Sequence, residues 1–102
     1  MAPLIRITCM KITVKFHSKF RKVFQTDKTM IELPESATVR NLLEAICNSS
    51  LQRKTIYAPG GVELRHDVLI TKNRMFIFHM KRLETELKDG DEIEILYPAG
   101  GG

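Results

Sequence analysis

The sequence stops at Tyr97-Pro98-Ala99-Gly100-Gly101-Gly102, and the three glycines are its residues best suited to chemistry. Glycine brings no side chain to a core and loses the most backbone freedom on ordering, so a terminal triplet serves no packing purpose. A frayed end is the plain reading. The chemical reading is that a thin glycine thread passes through a channel that any β-carbon would block, delivering a terminal carboxylate to another enzyme's active site. A carboxylate is a poor acyl donor. Attaching AMP supplies a leaving group, and the Gly102 carbonyl can then pass to a sulfur or an amine nucleophile.

Other reactive side chains form no catalytic pattern. His17, His66 and His79 are scattered, with no His-x-x-x-His pair, and no nucleophile elbow surrounds Ser18, Ser36, Ser49 or Ser50. His79 lies in an apolar run and reads as a strand residue. Cys9 and Cys47 are too few for a structural zinc site, and a small secreted scaffold would carry more cysteines. Cys47 follows a helical pattern and reads as a small buried hydrophobe; Cys9 reads as an exposed thiol. Glu84, Glu86, Asp89, Asp91, Glu92 and Glu94 lack the spacing of a calcium loop and read as a solvated acidic face. Gly60-Gly61 lacks the lysine and further glycines of a phosphate loop. No metal site is expected.

With 102 residues, 43% hydrophobic and 27% charged, the chain has the composition of one globular domain. No apolar run reaches the ~18 residues of a membrane span, and Arg6 interrupts the only N-terminal apolar stretch, so a cytoplasmic protein is expected. The net charge of +4 lies entirely in residues 1–51, concentrated at Lys15, Lys19, Arg21, Lys22 and Lys28. Only Phe20 and Phe24 interleave with that cluster. It reads as a solvated strand end and turn, and a nucleic-acid partner is not expected.

The elements that must position the tail follow from periodicity. Ile12, Val14 and Phe16 alternate with Lys11, Thr13 and Lys15, which predicts a strand with one buried face from Lys11 to Phe16. A second strand is predicted from Thr29 to Leu33, ending at Pro34, with a wide irregular connection over residues 17–28. Val39, Leu42, Leu43 and Ile46 follow helical spacing behind Thr38 as N-cap, predicting a helix from Val39 to about Asn48. A loop is predicted over residues 52–61, turning at Pro59-Gly60-Gly61. Strands are then expected from Val68 to Thr71 and from Met75 to His79, with Asn73 suited to a positive-φ turn between them. Asp89-Gly90-Asp91 makes a turn into a last strand in which Ile93 and Ile95 alternate with Glu92 and Glu94. One amphipathic helix across one mixed sheet is the economical α+β architecture.

This order of elements resembles the β-grasp, ubiquitin-like sulfur carriers: the small subunit of molybdopterin synthase, the thiamine-pathway sulfur carrier and the ubiquitin-related modifiers. The similarity rests on the helix start Ala37-Thr38-Val39-Arg40-Asn41-Leu42-Leu43, the segment Leu87-Lys88-Asp89-Gly90-Asp91-Glu92-Ile93 and the terminal glycines. It covers residues 11–102, with residues 1–9 as an N-terminal extension, 10–96 as the domain and 97–102 as the tail. The resemblance implies that the protein is a carrier and not a catalyst. It further implies that Gly102 is adenylated by a separate activating enzyme that uses ATP, the chain itself holding no cofactor. Gly102 would then become a thiocarboxylate or be joined to a lysine of a target protein, with Gly101 as its neighbour in the channel. Gly100 stands where the molybdopterin branch commonly has alanine. Leu96, with Tyr97 beside it, matches the apolar position that docks on the activating enzyme and on a molybdopterin synthase large subunit. The alternative is a β-grasp module that binds RNA or protein and is never conjugated.

Overall fold

The computed structural model describes residues 9–98. Five strands form one mixed sheet: β1 (Cys9–Phe16), β2 (Lys28–Pro34), β3 (Leu69–Lys72), β4 (Met75–Phe76) and β5 (Glu92–Leu96), in the order β2-β1-β5-β3-β4. β1 pairs antiparallel with β2 and parallel with β5, which pairs antiparallel with β3. The parallel pair cannot be joined by a tight turn. Among the described residues, the crossover contains three helices: α1 (Lys19–Phe24) before β2, and α2 (Val39–Ile46) and α3 (Ser50–Ile56) after it.

The alternation in β1 buries Met10, Ile12, Val14 and Phe16. They meet Val39, Leu42 and Leu43 of α2, all fully buried, and Ile93 and Ile95 of β5 in one core. Each such side chain stabilises the fold by about 1.5–3 kcal/mol. Helix α2 starts at Thr38, as its sequence predicts. The Thr38 hydroxyl accepts the Asn41 amide at 3.3 Å, and the Asn41 side-chain oxygen accepts the Thr38 amide at 2.8 Å. Asn41 thus fills the reciprocal place usually held by Glu or Gln. A third first-turn amide, that of Val39, donates to the Thr85 carbonyl at 3.0 Å. The helix ends at Ile46, two residues before the predicted limit.

Three segments differ from expectation. The connection read as irregular contains α1. Phe20 and Phe24 lie one helical turn apart; Phe20 is fully buried, and Phe24 stacks on Phe16 with ring centroids 4.5 Å apart. Their apolar spacing is interspersed with Arg and Lys, which gave the stretch the look of a charged loop. The second difference is α3, where most of residues 50–56 was read as fading helix and loop. Ser49, read as part of a polar break, is its N-cap and accepts the Gln52 amide at 3.1 Å, while Ile56 is fully buried. Third, the strand predicted from Met75 to His79 keeps only Met75–Phe76, and Ile77–His79 closes into a 3₁₀ turn that buries Ile77. The turn at Pro59-Gly60-Gly61 is present, with both glycines at positive φ, beneath a Tyr57–Leu64 bridge.

The approach to β5 is tied at both ends. Asn73 has φ 51°, as its turn role requires. Its side-chain oxygen accepts the Glu92 amide at 2.9 Å, and its side-chain nitrogen donates to Asp91 at the same distance. The Asp91 carboxylate also accepts the Lys88 amide at 2.7 Å across the Gly90 turn.

Candidate functional site

β5 is a central strand, and its alternation decides what precedes the tail. Ile93 and Ile95 enter the core; Glu92, Glu94 and Leu96 face outward. Leu96 stands opposite Leu69 of β3, and both are half-buried. Residues directly opposite on neighbouring strands share a face. One outer row therefore runs Lys28, Lys15, Glu94, Thr71, Phe76 across all five strands. The sheet exterior is charged over β2 and β1 and becomes apolar toward Leu96, Leu69 and Phe76.

Tyr97 follows Leu96 and is braced by α1. Its ring lies 6.5 Å from that of Phe20, tilted by 59°, and the Lys19 ammonium sits 4.1 Å from its centroid. The same ammonium is 3.8 Å from Asp67. A cation over an aromatic face contributes about 0.5–1 kcal/mol at an exposed site, so Lys19 holds the tail root from above while Phe20 supports it from the core. The His17 amide donates to the Ile95 carbonyl at 3.1 Å, fixing the start of α1 to the end of β5. Leu96 and Tyr97 are thus brought together on a rigid base. Gly100, Gly101 and Gly102 lie outside the described residues.

Lys19, Phe20 and Leu69 belong to this site, although sequence reasoning placed Lys19 and Phe20 only in the basic cluster and gave Leu69 no role in it. The Phe20/Phe24 spacing was the available signal for α1, and the β-rich run at residues 68–71 the signal for Leu69. The acidic residues make the expected solvated face only in part: Glu84, Glu86 and Asp89 are exposed, and the other three are drawn into pairs. Asp91 is buried within its hydrogen bonds, Glu92 lies 3.3 Å from Lys15, and Glu94 lies 2.7 Å from His17. The basic cluster is likewise divided, because Lys15 and Lys19 have acidic partners while Arg21, Lys22 and Lys28 are exposed.

Cys47 is buried and Cys9 exposed, as their patterns predict. Burial pushes the Cys47 thiol up to about 11, against the opposing pull of Arg53, so it stays protonated near neutrality and is no nucleophile. Nearby, the Arg53 guanidinium donates to Glu44 at 2.9 Å and holds that carboxyl below its ordinary range. His79 is exposed and lies in the 3₁₀ turn, where its ring is 4.2 Å from that of Phe78. Among the described residues, no three His, Cys, Asp or Glu side chains gather as a metal site would require.

A mixed sheet grasping a capped helix, with its last strand at the centre and an apolar root for a glycine tail, defines a ubiquitin-like β-grasp protein. The ThiS family profile matches residues 14–102, and the chain belongs to that family. It is similar to the molybdopterin synthase sulfur carrier subunit of Drosophila yakuba, with 25% identity over 93 residues, covering 91% of this chain and 92% of the relative. The solution structure of small archaeal modifier protein 1 from Methanosarcina acetivorans superposes with a TM-score of 0.75 at 27% identity, covering 93% of this chain and 99% of that one. SAMP1 from Haloferax volcanii shares the fold, with a TM-score of 0.78 at 19% identity and coverage of 90% and 99%. Members of this family are small carriers and modifiers rather than enzymes.

Proposed function

We propose that this protein is a cytoplasmic carrier whose Gly102 carboxylate is activated and loaded by a separate ATP-using enzyme. The carboxylate attacks the α-phosphorus of ATP and releases pyrophosphate, leaving an acyl-adenylate. A sulfide-level sulfur nucleophile then displaces AMP and leaves a C-terminal thiocarboxylate. Its sulfur goes on to an acceptor such as molybdopterin or a tRNA base. The observation that carries this reading is the braced tail root: Leu96 half-buried beside Leu69 on the outer face, followed by Tyr97 held between Phe20 and Lys19. A partner enzyme docking on Leu96 and Tyr97 would receive the residues that follow, Gly100, Gly101 and Gly102, at its active site. A molybdopterin synthase large subunit is a second partner suited to the same face.

The similarity to a small archaeal modifier protein favours a second outcome at the same atom, in which a lysine amine displaces AMP and forms an isopeptide bond. Both outcomes pass through one acyl-adenylate.

The test is the intact mass and C-terminal fragmentation of protein isolated from its host, and of protein incubated with ATP and the host's activating enzyme. A sulfur-for-oxygen exchange at Gly102 supports the carrier; Gly102 linked to lysines supports the modifier. A Leu96→Arg variant should fold normally yet lose most of its adenylation. An unmodified carboxylate in every preparation overturns both outcomes and leaves a binding module, which would also keep its affinity after loss of Gly101-Gly102.

A further inference from the structure

From residue 68 to residue 83 the chain contains no acidic residue but carries Lys72, Arg74, Lys81 and Arg82, together with His79. This second basic segment is hidden in the charge count, because the half of the chain that contains it is neutral. The structure adds aromatic rings to it. Phe76 at the sheet edge stacks on Phe78 with centroids 5.4 Å apart and planes within 23°, and the His79 ring adjoins Phe78. Phe78 is nevertheless 51% exposed, an unusual position for so apolar a ring.

Phe78 also forms one wall of a cleft of about 280 Å³. Val68, Ile70 and Leu83 line it, with cationic groups at Arg65 and Arg82 and the imidazole of His66. Glu63 is the only carboxylate in its lining; Arg65 is shared with Asp67 at 3.3 Å. Among the described residues, Arg74, Lys81 and Arg82 have no carboxylate within 4.0 Å. A half-exposed aromatic ring beside an apolar recess that Arg82 lines, with Arg74 and Lys81 in the same basic segment, complements a ligand that alternates planar rings with negative charges.

We propose that the Phe76–Phe78 stack and the adjoining cleft bind single-stranded nucleic acid, with a base on Phe78 and backbone phosphates on Arg74, Lys81 and Arg82. The initial expectation of no nucleic-acid partner considered only the basic cluster over residues 15–28, in which Phe20 is buried and Phe24 is turned onto Phe16. Phe20 and Phe24 thus offer little ring surface to a ligand, whereas Phe78, although packed against Phe76 and His79, keeps 51% of its surface exposed. Base–aromatic stacking tolerates sequence, because every base has a π-face, so the site discriminates single strands from duplexes rather than one sequence from another.

The test is fluorescence anisotropy of a labelled single-stranded oligouridylate of about twelve nucleotides, titrated with the full, unactivated chain. Its result does not depend on whether Gly102 is ever adenylated. Three phosphate contacts give a salt slope near −2, so affinity should fall about twentyfold between about 50 and 200 mM salt. Phe78→Ala should weaken binding about fivefold or more, and the double variant Lys81→Gln/Arg82→Gln should flatten the salt slope. The chain has no tryptophan, so Phe78→Trp supplies a single indole whose fluorescence should be quenched as a base stacks on it. Lys22→Gln/Lys28→Gln should bind as the parent does. The proposal is overturned if nothing binds by about 100 μM protein at low salt, where even non-specific complexes form. It is equally overturned if Phe78→Ala binds unchanged, if the Lys22/Lys28 variant loses binding, or if a polyglutamate peptide displaces the oligonucleotide as well as unlabelled oligonucleotide does. The last result would assign the face to an acidic protein partner.

Discussion

The two cysteines show how one side-chain type acquires two chemistries from its surroundings. Cys9 opens an edge-paired strand in solvent, whereas Cys47 sits at the C-terminal end of α2, shielded by the core. A thiol reagent at neutral pH should modify Cys9 promptly and reach Cys47 only on unfolding, which mass mapping of the labelled peptides would check. Burial also couples Cys47 to alkaline stability. Its native value near 11 lies above the ordinary value of 9.0, so on raising the pH the unfolded chain releases this proton first. The unfolded state then holds fewer protons than the native state, and stability falls with pH across that window, by at most about 1.4 kcal/mol per pH unit from this group. Denaturant unfolding of wild type and Cys47→Ala at about pH 8 and pH 10 should show a smaller loss in the variant. An equal loss in both would remove Cys47 as a cause.

Helix α1 is the element on which the tail root depends, although it is only six residues long. A helix so short is not stable from its own hydrogen bonds, and it exists because Phe20 fills the core. Phe20→Ala should cost about 3–5 kcal/mol and release Tyr97 at the same time. Lys19→Ala leaves the core intact, so its effect on unfolding should be within about 1 kcal/mol while its tail root loosens. Chemical unfolding together with Tyr97 side-chain NMR line shapes would separate the two effects; a Lys19→Ala variant with native Tyr97 signals would remove the cation as a brace. The contrast between helices also explains what the sequence made legible. Helix α2 was readable because four apolar residues repeat at helical spacing behind a threonine cap. In α1 and α3 the apolar positions are few and lie among Arg, Lys, Ser and Gln, and their stability comes from tertiary burial of Phe20 and Ile56. The strands β1, β2, β3 and β5 were legible to within two residues, because their alternation is the pattern the core demands. The order of the site along the chain was legible too, as Leu96 and Tyr97 precede the glycines. Which residues brace it was not, because Lys19 and Asp67 meet only after the sheet has formed.

At the scale of the whole molecule, the topology puts the last strand in the middle. β5 supplies two fully buried isoleucines and ladders to both β1 and β3, so β2-β1 and β3-β4 are separate fragments without it. A chain truncated after Gly90 should therefore remain unfolded, with flat near-ultraviolet dichroism and collapsed NMR dispersion; native-like spectra would show that the two fragments can assemble alone. Amides of β5 should exchange with solvent only through global opening, since local openings favour edges and loops.

The position of β5 also sets an order in time. Synthesis proceeds from the N-terminus, so the β1-β2 hairpin and α2 are available before their central neighbour exists, and β1 waits with an open hydrogen-bonding edge. That edge accepts its proper strand only after the chain has been made through Leu96, within six residues of Gly102. Any partner that recognises Leu96 beside Leu69 would therefore meet that surface only after β5 has closed the sheet, and would pass over chains that lack the last strand.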